Sequence, residues 1–222
     1  MGWRWEVFIA PGSALFVLPL VALLGVVLAT GDRSARGPVL RWWCVVAVAV
    51  ALVAASKIAF YGWGTGIHAW DLTCFSGHTV MALAFWPVAL ALLVPPRRRA
   101  WRRAATVIGF ACGLLVGISR IHLGAHPASE VLAGTLLGGA AAACGLHALR
   151  HHRWPPVPTV LTGLACLLVA AWLSRHPAPT LPSERWLAAI GTALASRDVP
   201  VDRHRWRHEA PSSRDRNMSL PR

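Results

Sequence analysis

The sequence predicts an all-α fold: a bundle of six transmembrane helices followed by a polar C-terminal tail. Three observations carry that expectation. Of the 222 residues, 55% are hydrophobic and only 14% charged, and the apolar residues gather into six runs near the roughly 17–25 residues needed to cross a bilayer. Glycine and proline punctuate the joints between runs. Arginines crowd every second joint and are nearly absent from the others.

The first run, 7–30, exceeds the 7–15 apolar residues of a secretory signal and is preceded only by Arg4, so it reads as a retained membrane helix. Gly31-Asp32 and Gly37-Pro38 bracket the next connection. The second run, 42–60, closes with Lys57, the only lysine against 21 arginines. Gly62, Gly64 and Gly66 loosen the following loop around Trp63 and Trp70, which suit an interfacial aromatic belt. The third run, 78–94, stops at Pro95-Pro96. The fourth, 104–119, is short; it is expected to borrow Trp101, with Arg102 and Arg103 snorkelling to the head groups. In the fifth, 128–149, Gly134, Gly138, Gly139 and alanines 140–143 predict a small-residue face for close packing. Pro155-Pro156 precedes the sixth, 157–173. Beyond it the chain turns rich in Arg, Pro and Ser, with one amphipathic stretch at Trp186, Leu187, Ile190 and Leu194. The expected division is a membrane-embedded domain over 1–175 and an Arg-rich, largely disordered tail over 176–222.

A net charge of +13 invites nucleic-acid binding, but the arginines are placed as a topology signal. Joints 31–41, 95–103 and 150–156 hold ten of them, and the alternate ends and loops before residue 174 hold only Arg4 and Arg120. This positive-inside bias predicts an outside N-terminus and puts the loops at 61–77 and 120–127 on the non-cytoplasmic face of a multi-pass cell (inner) membrane protein. Nine arginines beyond residue 173 sit awkwardly with that topology. The tail, including Arg203-His204-Arg205-Trp206-Arg207-His208, is expected to touch anionic lipid head groups rather than nucleic acid. The five cysteines follow no metal or disulfide spacing and receive no role.

The chemistry concentrates in the two outer loops. Ser119-Arg120, five residues, His126, three residues and Glu130 lie where one hydrophobic run ends and the next begins, a place where ionisable groups are usually functional. Pro127 suits the start of a helix, so Glu130 falls one turn above His126. A carboxylate accepting the Nδ1 proton would leave Nε2 free to attack, with carboxylate and imidazole as orienter and nucleophile. In Phe75-Ser76-Gly77-His78, the Ser76 hydroxyl and Gly77 amide at a helix start can seat phosphate oxygens. His78 can act as acid and base. Lys57 and Arg120 would neutralise the charge of a transferring phosphoryl group.

These blocks resemble the type 2 phosphatidic acid phosphatase family, which shares its site with the vanadium haloperoxidases and carries Lys-x6-Arg-Pro, Pro-Ser-Gly-His and Ser-Arg-x5-His-x3-Asp. Here Glu130 replaces the aspartate, Phe75 replaces the proline, and Gly64-Thr65 stand where Arg-Pro is expected. The resemblance spans roughly residues 40–150. It implies a metal-independent enzyme without cofactors that hydrolyses a lipid phosphate or pyrophosphate, of undecaprenyl pyrophosphate or phosphatidate type, through a phosphohistidine. His126, His78 and Glu130 would be catalytic. Lys57, Ser76, Gly77 and Arg120 would bind phosphate, with His68 as the candidate for the missing arginine's charge. Two alternatives stay open: a catalytically inactive membrane scaffold of the same fold, and a metal site or transporter built on His68, His78, His122 and His126.

Overall fold

A computed structural model describes residues 5–152 and 183–208. Among them the regular elements are helices, with one isolated antiparallel bridge between Ile67 and Leu72. Five apolar runs land on α1 (Ala14–Gly31), α2 (Arg36–Trp63), α3 (Gly77–Leu92), α4 (Arg99–His122) and α5 (Ala128–Ala148). The tail supplies α6 (Ser183–Leu194) and α7 (Arg203–His208). The sixth run, 157–173, lies outside the described residues. Four helical segments are long and apolar enough to cross a membrane: Ala14–Gly31, Arg33–Trp63, Arg99–His122 and Ala128–Ala148. The fold is therefore all-α and membrane-type, with four such spans among the described residues where six are expected from the sequence.

The boundaries depart from the runs for local reasons. Helix α1 starts seven residues late because Pro11 and Gly12 belong to a 3-10 turn, Ala10–Gly12, that follows another at Trp5–Phe8. Gly37 and Pro38 lie inside the first turn of α2 rather than in a loop, where the missing proline N–H costs nothing. Helix α4 reaches back to Arg99. Arg102 does not snorkel: its guanidinium donates to the carbonyls of Leu149 (3.0 Å) and His152 (3.1 Å). Carbonyls at the end of a helix lack intrahelical partners and draw such a cation.

The chain divides into two compact units, Met1–Val53 with Phe75–Leu181, and Ala54–Cys74 with Pro182–Arg222. The cut differs from the expected one at residue 175, since it falls inside α2 and groups the tail with residues 54–74.

In the first unit α3 is the axis. At 16 residues it is about 24 Å long at 1.5 Å per residue, short for a bilayer, but all of Thr79–Phe85 is buried. Glycines bring its neighbours close. From α4, a Cβ on Gly109 would lie 2.5 Å from Pro87 Cα, one on Gly113 2.5 Å from Leu83 and one on Gly117 3.2 Å from Thr79. From α5, a Cβ on Gly134 would meet the Ser76 carbonyl at 3.0 Å and one on Gly138 the Val80 carbonyl at 2.9 Å. Small residues every fourth position thus form seams on both helices. Gly139, expected in that face, has nothing within 4 Å. Phe16, Leu20 and Leu24 of α1 join Val39, Trp42 and Val46 of α2 and Val80, Phe85 and Val88 of α3 in one apolar core. Outward, Val107, Leu132 and Leu136 are more than 60% exposed, as a lipid-facing surface requires.

In the second unit the last turns of α2 meet the tail. A Cβ on Gly62 would come within 2.6 Å of the Gly191 carbonyl, and one on Gly191 within 2.7 Å of the Ile58 carbonyl, so α2 and α6 touch backbone to backbone. Arg197 donates to the Gly62 carbonyl (3.3 Å) and the Val201 N–H to the Tyr61 carbonyl (2.9 Å). Trp206 of α7 is buried against Phe60 and Gly64. Residues 183–208 therefore hold helices where a largely disordered tail is expected from composition. The reason is apolar contact: the predicted amphipathic stretch is α6, and Trp206 anchors α7.

Candidate active site

The turn between α4 and α5 is set by backbone bonds. Leu123 N–H donates to Ser119 O (3.0 Å) and Gly124 N–H to Ile121 O (3.0 Å). Ala125 and His126 N–H both donate to Arg120 O, at 3.0 and 3.3 Å. Gly124 has φ +65°, a left-handed conformation that glycine adopts without steric cost. The reversal ties the His126 backbone to that of Arg120, and Pro127 stands directly before α5.

In the first turn of α5 is Glu130, fully buried; His126 Nδ1 lies 2.5 Å from Glu130 Oε2, and the His126 side chain is only 9% exposed. A buried carboxylate demands charged or hydrogen-bonding partners. The imidazole reaches it from the turn just before α5, whose backbone bonds to Arg120 set the position of His126. The carboxylate engages Nδ1, as an orienting acid would for a histidine that reacts through Nε2.

The second block is joined to this pair. The Ser76 N–H donates to the backbone carbonyl of Glu130 (3.2 Å), so the N-terminal ends of α3 and α5 meet beside the C-terminal end of α4. Ser76 is fully buried, and its hydroxyl oxygen accepts from Thr79 Oγ1 (2.9 Å). The expected phosphate seat at Ser76 is thus turned into the bundle, and Gly77 and His78 are the partly exposed members of the block. A Cβ on Gly12 would fall 2.9 Å from the His78 carbonyl and 3.1 Å from its Cβ. The N-terminal 3-10 turn therefore braces His78, a contact with no signal in the local residue pattern. Arg120 is partly buried on the last turn of α4 beside the buried Ser119, whose hydroxyl donates to Val116 O (2.6 Å).

His122 is exposed, donates from Nδ1 to Ile118 O (3.1 Å) and stacks on Trp5 with ring centroids 4.3 Å apart. These contacts pack the ring against the N-terminal turn and the last turn of α4.

Two expected phosphate-binding residues belong to the second unit. Lys57 is 7% exposed, and its ammonium donates to Glu184 Oε1. Tyr61 O–H donates to the other carboxylate oxygen at 2.7 Å. Glu184 went unnoticed in the sequence; its only signal there is an acid beside the amphipathic stretch in a region otherwise basic. His68 is exposed, and its ring lies flat on Trp206 at 3.6 Å between centroids. Cys44, Cys74, Cys112 and Cys144 are free thiols.

Residues 68–155 match the PAP2 superfamily. The chain is 36% identical over 203 residues to "Uncharacterized 22.5 kDa protein in cps region" of Klebsiella pneumoniae, an alignment covering 90% of this chain and 96% of that protein. No solved structure matches. PAP2 proteins are phosphatases, which supports a phosphoric ester hydrolase here, and the membrane-length helices agree with a membrane protein. By its matched blocks and its near full-length relative, this chain belongs to the PAP2 superfamily.

Proposed function

We propose that the protein is a membrane lipid phosphatase that cleaves a lipid phosphate or pyrophosphate through a phosphohistidine. The observation that carries this reading is the His126–Glu130 pair, 2.5 Å apart with the carboxylate fully buried, tied through Glu130 O to the start of the Ser-Gly-His block. His126 Nε2 attacks phosphorus in line, and the P–O bond to the leaving group breaks as His78 gives that oxygen its proton. The phosphorylated ring is cationic, and the Glu130 carboxylate stabilises it through Nδ1–H. His78, now neutral, takes a proton from water, which displaces His126 and releases inorganic phosphate. Arg120, Lys57 and the Gly77 amide bind the non-bridging oxygens, and no metal takes part. For Lys57 the phosphate competes with Glu184. The arginine asymmetry favours a non-cytoplasmic site in the cell membrane, where undecaprenyl pyrophosphate or phosphatidate-type lipids are the candidate substrates and the tail arginines meet anionic head groups.

The test is phosphate release by the purified full-length protein from a panel of lipid phosphates and pyrophosphates. Activity is expected to persist in EDTA and to be inhibited by vanadate. Absence of turnover on every member would favour the inactive scaffold, and loss in chelator with recovery on adding Zn²⁺ would favour the metal site.

A further inference from the structure

We propose that Gly12 is a positioning residue for His78, and that Trp5–Gly12 is a strap holding this acid–base histidine where its proton transfers require it. The proposal rests on the phosphatase reading above. The strap consists of two 3-10 turns, Trp5–Phe8 and Ala10–Gly12. Ile9 N–H donates to Glu6 O (3.1 Å) and Gly12 N–H to Ile9 O (3.2 Å), which link the turns into one continuous piece. It crosses the ends of two helices that carry candidate site residues. At one end Trp5 stacks on His122, two residues past Arg120 on the last turn of α4. At the other end the buried Gly12 lies against the first turn of α3.

Gly12 has no room for a side chain. A Cβ there would stand 2.5 Å from Val116 Cγ1, 2.9 Å from the His78 carbonyl oxygen and 3.1 Å from His78 Cβ. The Val116 methyl is the end of a side chain and can turn aside. The His78 carbonyl belongs to helix backbone and moves only with the residue itself. Nor can the strap lift away, because it is held at three places. The Pro11 carbonyl accepts from Trp86 Nε1 at 3.0 Å. Helix α1 begins two residues on, at Ala14, and is packed into the core through Phe16 and Leu20. Trp5 holds the far end. A methyl group at position 12 is therefore relieved by displacing His78. That imidazole must reach the leaving oxygen in one step and a water in the next, and a misplacement of about 1 Å can cost on the order of 100-fold.

The test uses detergent-purified full-length protein and steady-state phosphate release from aryl phosphates of rising leaving-group pKa and from an alkyl phosphate. Gly12→Ala should lower kcat for the alkyl ester about 10- to 100-fold, leave the best aryl leaving group near wild type and change KM little. Its rates should therefore fall more steeply with leaving-group pKa, toward the slope of His78→Ala. In a His78→Ala background the same substitution should cost nothing further, because its effect passes through the imidazole. Trp5→Ala, which frees only the far end of the strap, should steepen the slope by less, and it carries the test if Gly12→Ala does not fold. Gly139→Ala, with nothing within 4 Å, should match wild type. A loss equal for all leaving groups, or a further loss in His78→Ala, would mean that Gly12 serves packing alone and would overturn the assignment. So would a wild-type slope in Gly12→Ala, or in Trp5→Ala where the glycine variant does not fold; the phosphatase reading would stand. If wild type releases no phosphate from any substrate, that reading falls and takes this assignment with it.

Discussion

Replacing Glu130 by glutamine isolates one quantity, the charge opposite His126. The side chain is fully buried, so the near-isosteric amide keeps the packing while removing the negative charge 2.5 Å from Nδ1. A hydrogen bond to a charged group contributes about 1.5–3 kcal/mol, and each 1.36 kcal/mol is tenfold in rate. The loss should therefore be about 10- to 150-fold. It should appear in kcat rather than KM, because the imidazole becomes cationic only as phosphorus bonds to Nε2. Glu130→Asp keeps the charge but withdraws it by one methylene from the ring, so its loss should be smaller. The assay is steady-state phosphate release from a lipid phosphate, with thermal midpoints to confirm that each variant folds. A glutamine variant with kcat within twofold of wild type, or a loss confined to KM, would refute the reasoning.

Three other expectations follow from the same coordinates. His126→Ala should abolish both turnover and any acid-labile phosphoenzyme, whereas His78→Ala should be mild toward pyrophosphate and aryl phosphate substrates and severe toward alkyl esters, whose alkoxide needs a proton to leave; comparing leaving groups checks it. Gly138→Ala should lower the thermal midpoint by an amount equivalent to about 1–3 kcal/mol, since its Cβ would press on Val80 O at 2.9 Å, while Gly139→Ala, with nothing within 4 Å, should be neutral. Hydrogen bonds from the Ser34 hydroxyl and amide hold the Asp32 carboxyl below its ordinary value of 3.8. Its contribution to stability is complete above that value and is lost as pH falls through the lower folded one. Acid titration of Asp32→Asn should therefore show a weaker loss of stability below about pH 4 than wild type.

What the sequence made legible was local. His126 stands two residues before α5 and Glu130 in its first turn, so short-range spacing brings them together, and five apolar runs became five helices. What depends on other elements stayed hidden. The depth of Ser76 follows from Thr79 and the Glu130 carbonyl, and Lys57 finds its counter-charge 127 residues away. Arg102 looked like an interfacial cation because the carbonyls it binds lie just past the end of α5, 47 and 50 residues along the chain. The seam of Gly109, Gly113 and Gly117 could have been found from its four-residue spacing, but their neighbours in α4 mask it with large side chains. Residues 183–208 hold helices that composition does not announce, because it weighs the arginines and cannot weigh the burial of Trp206.

The abutment of Gly62 and Gly191 bears on how this chain can change over time. Neither position tolerates a larger residue unless the facing backbone withdraws, and each faces the other's segment. Loss of the segment that carries Glu184 would leave the buried Lys57 ammonium without that carboxylate. The C-terminal region is therefore inherited together with residues 54–74, and drift on one side of that contact obliges a matching change on the other.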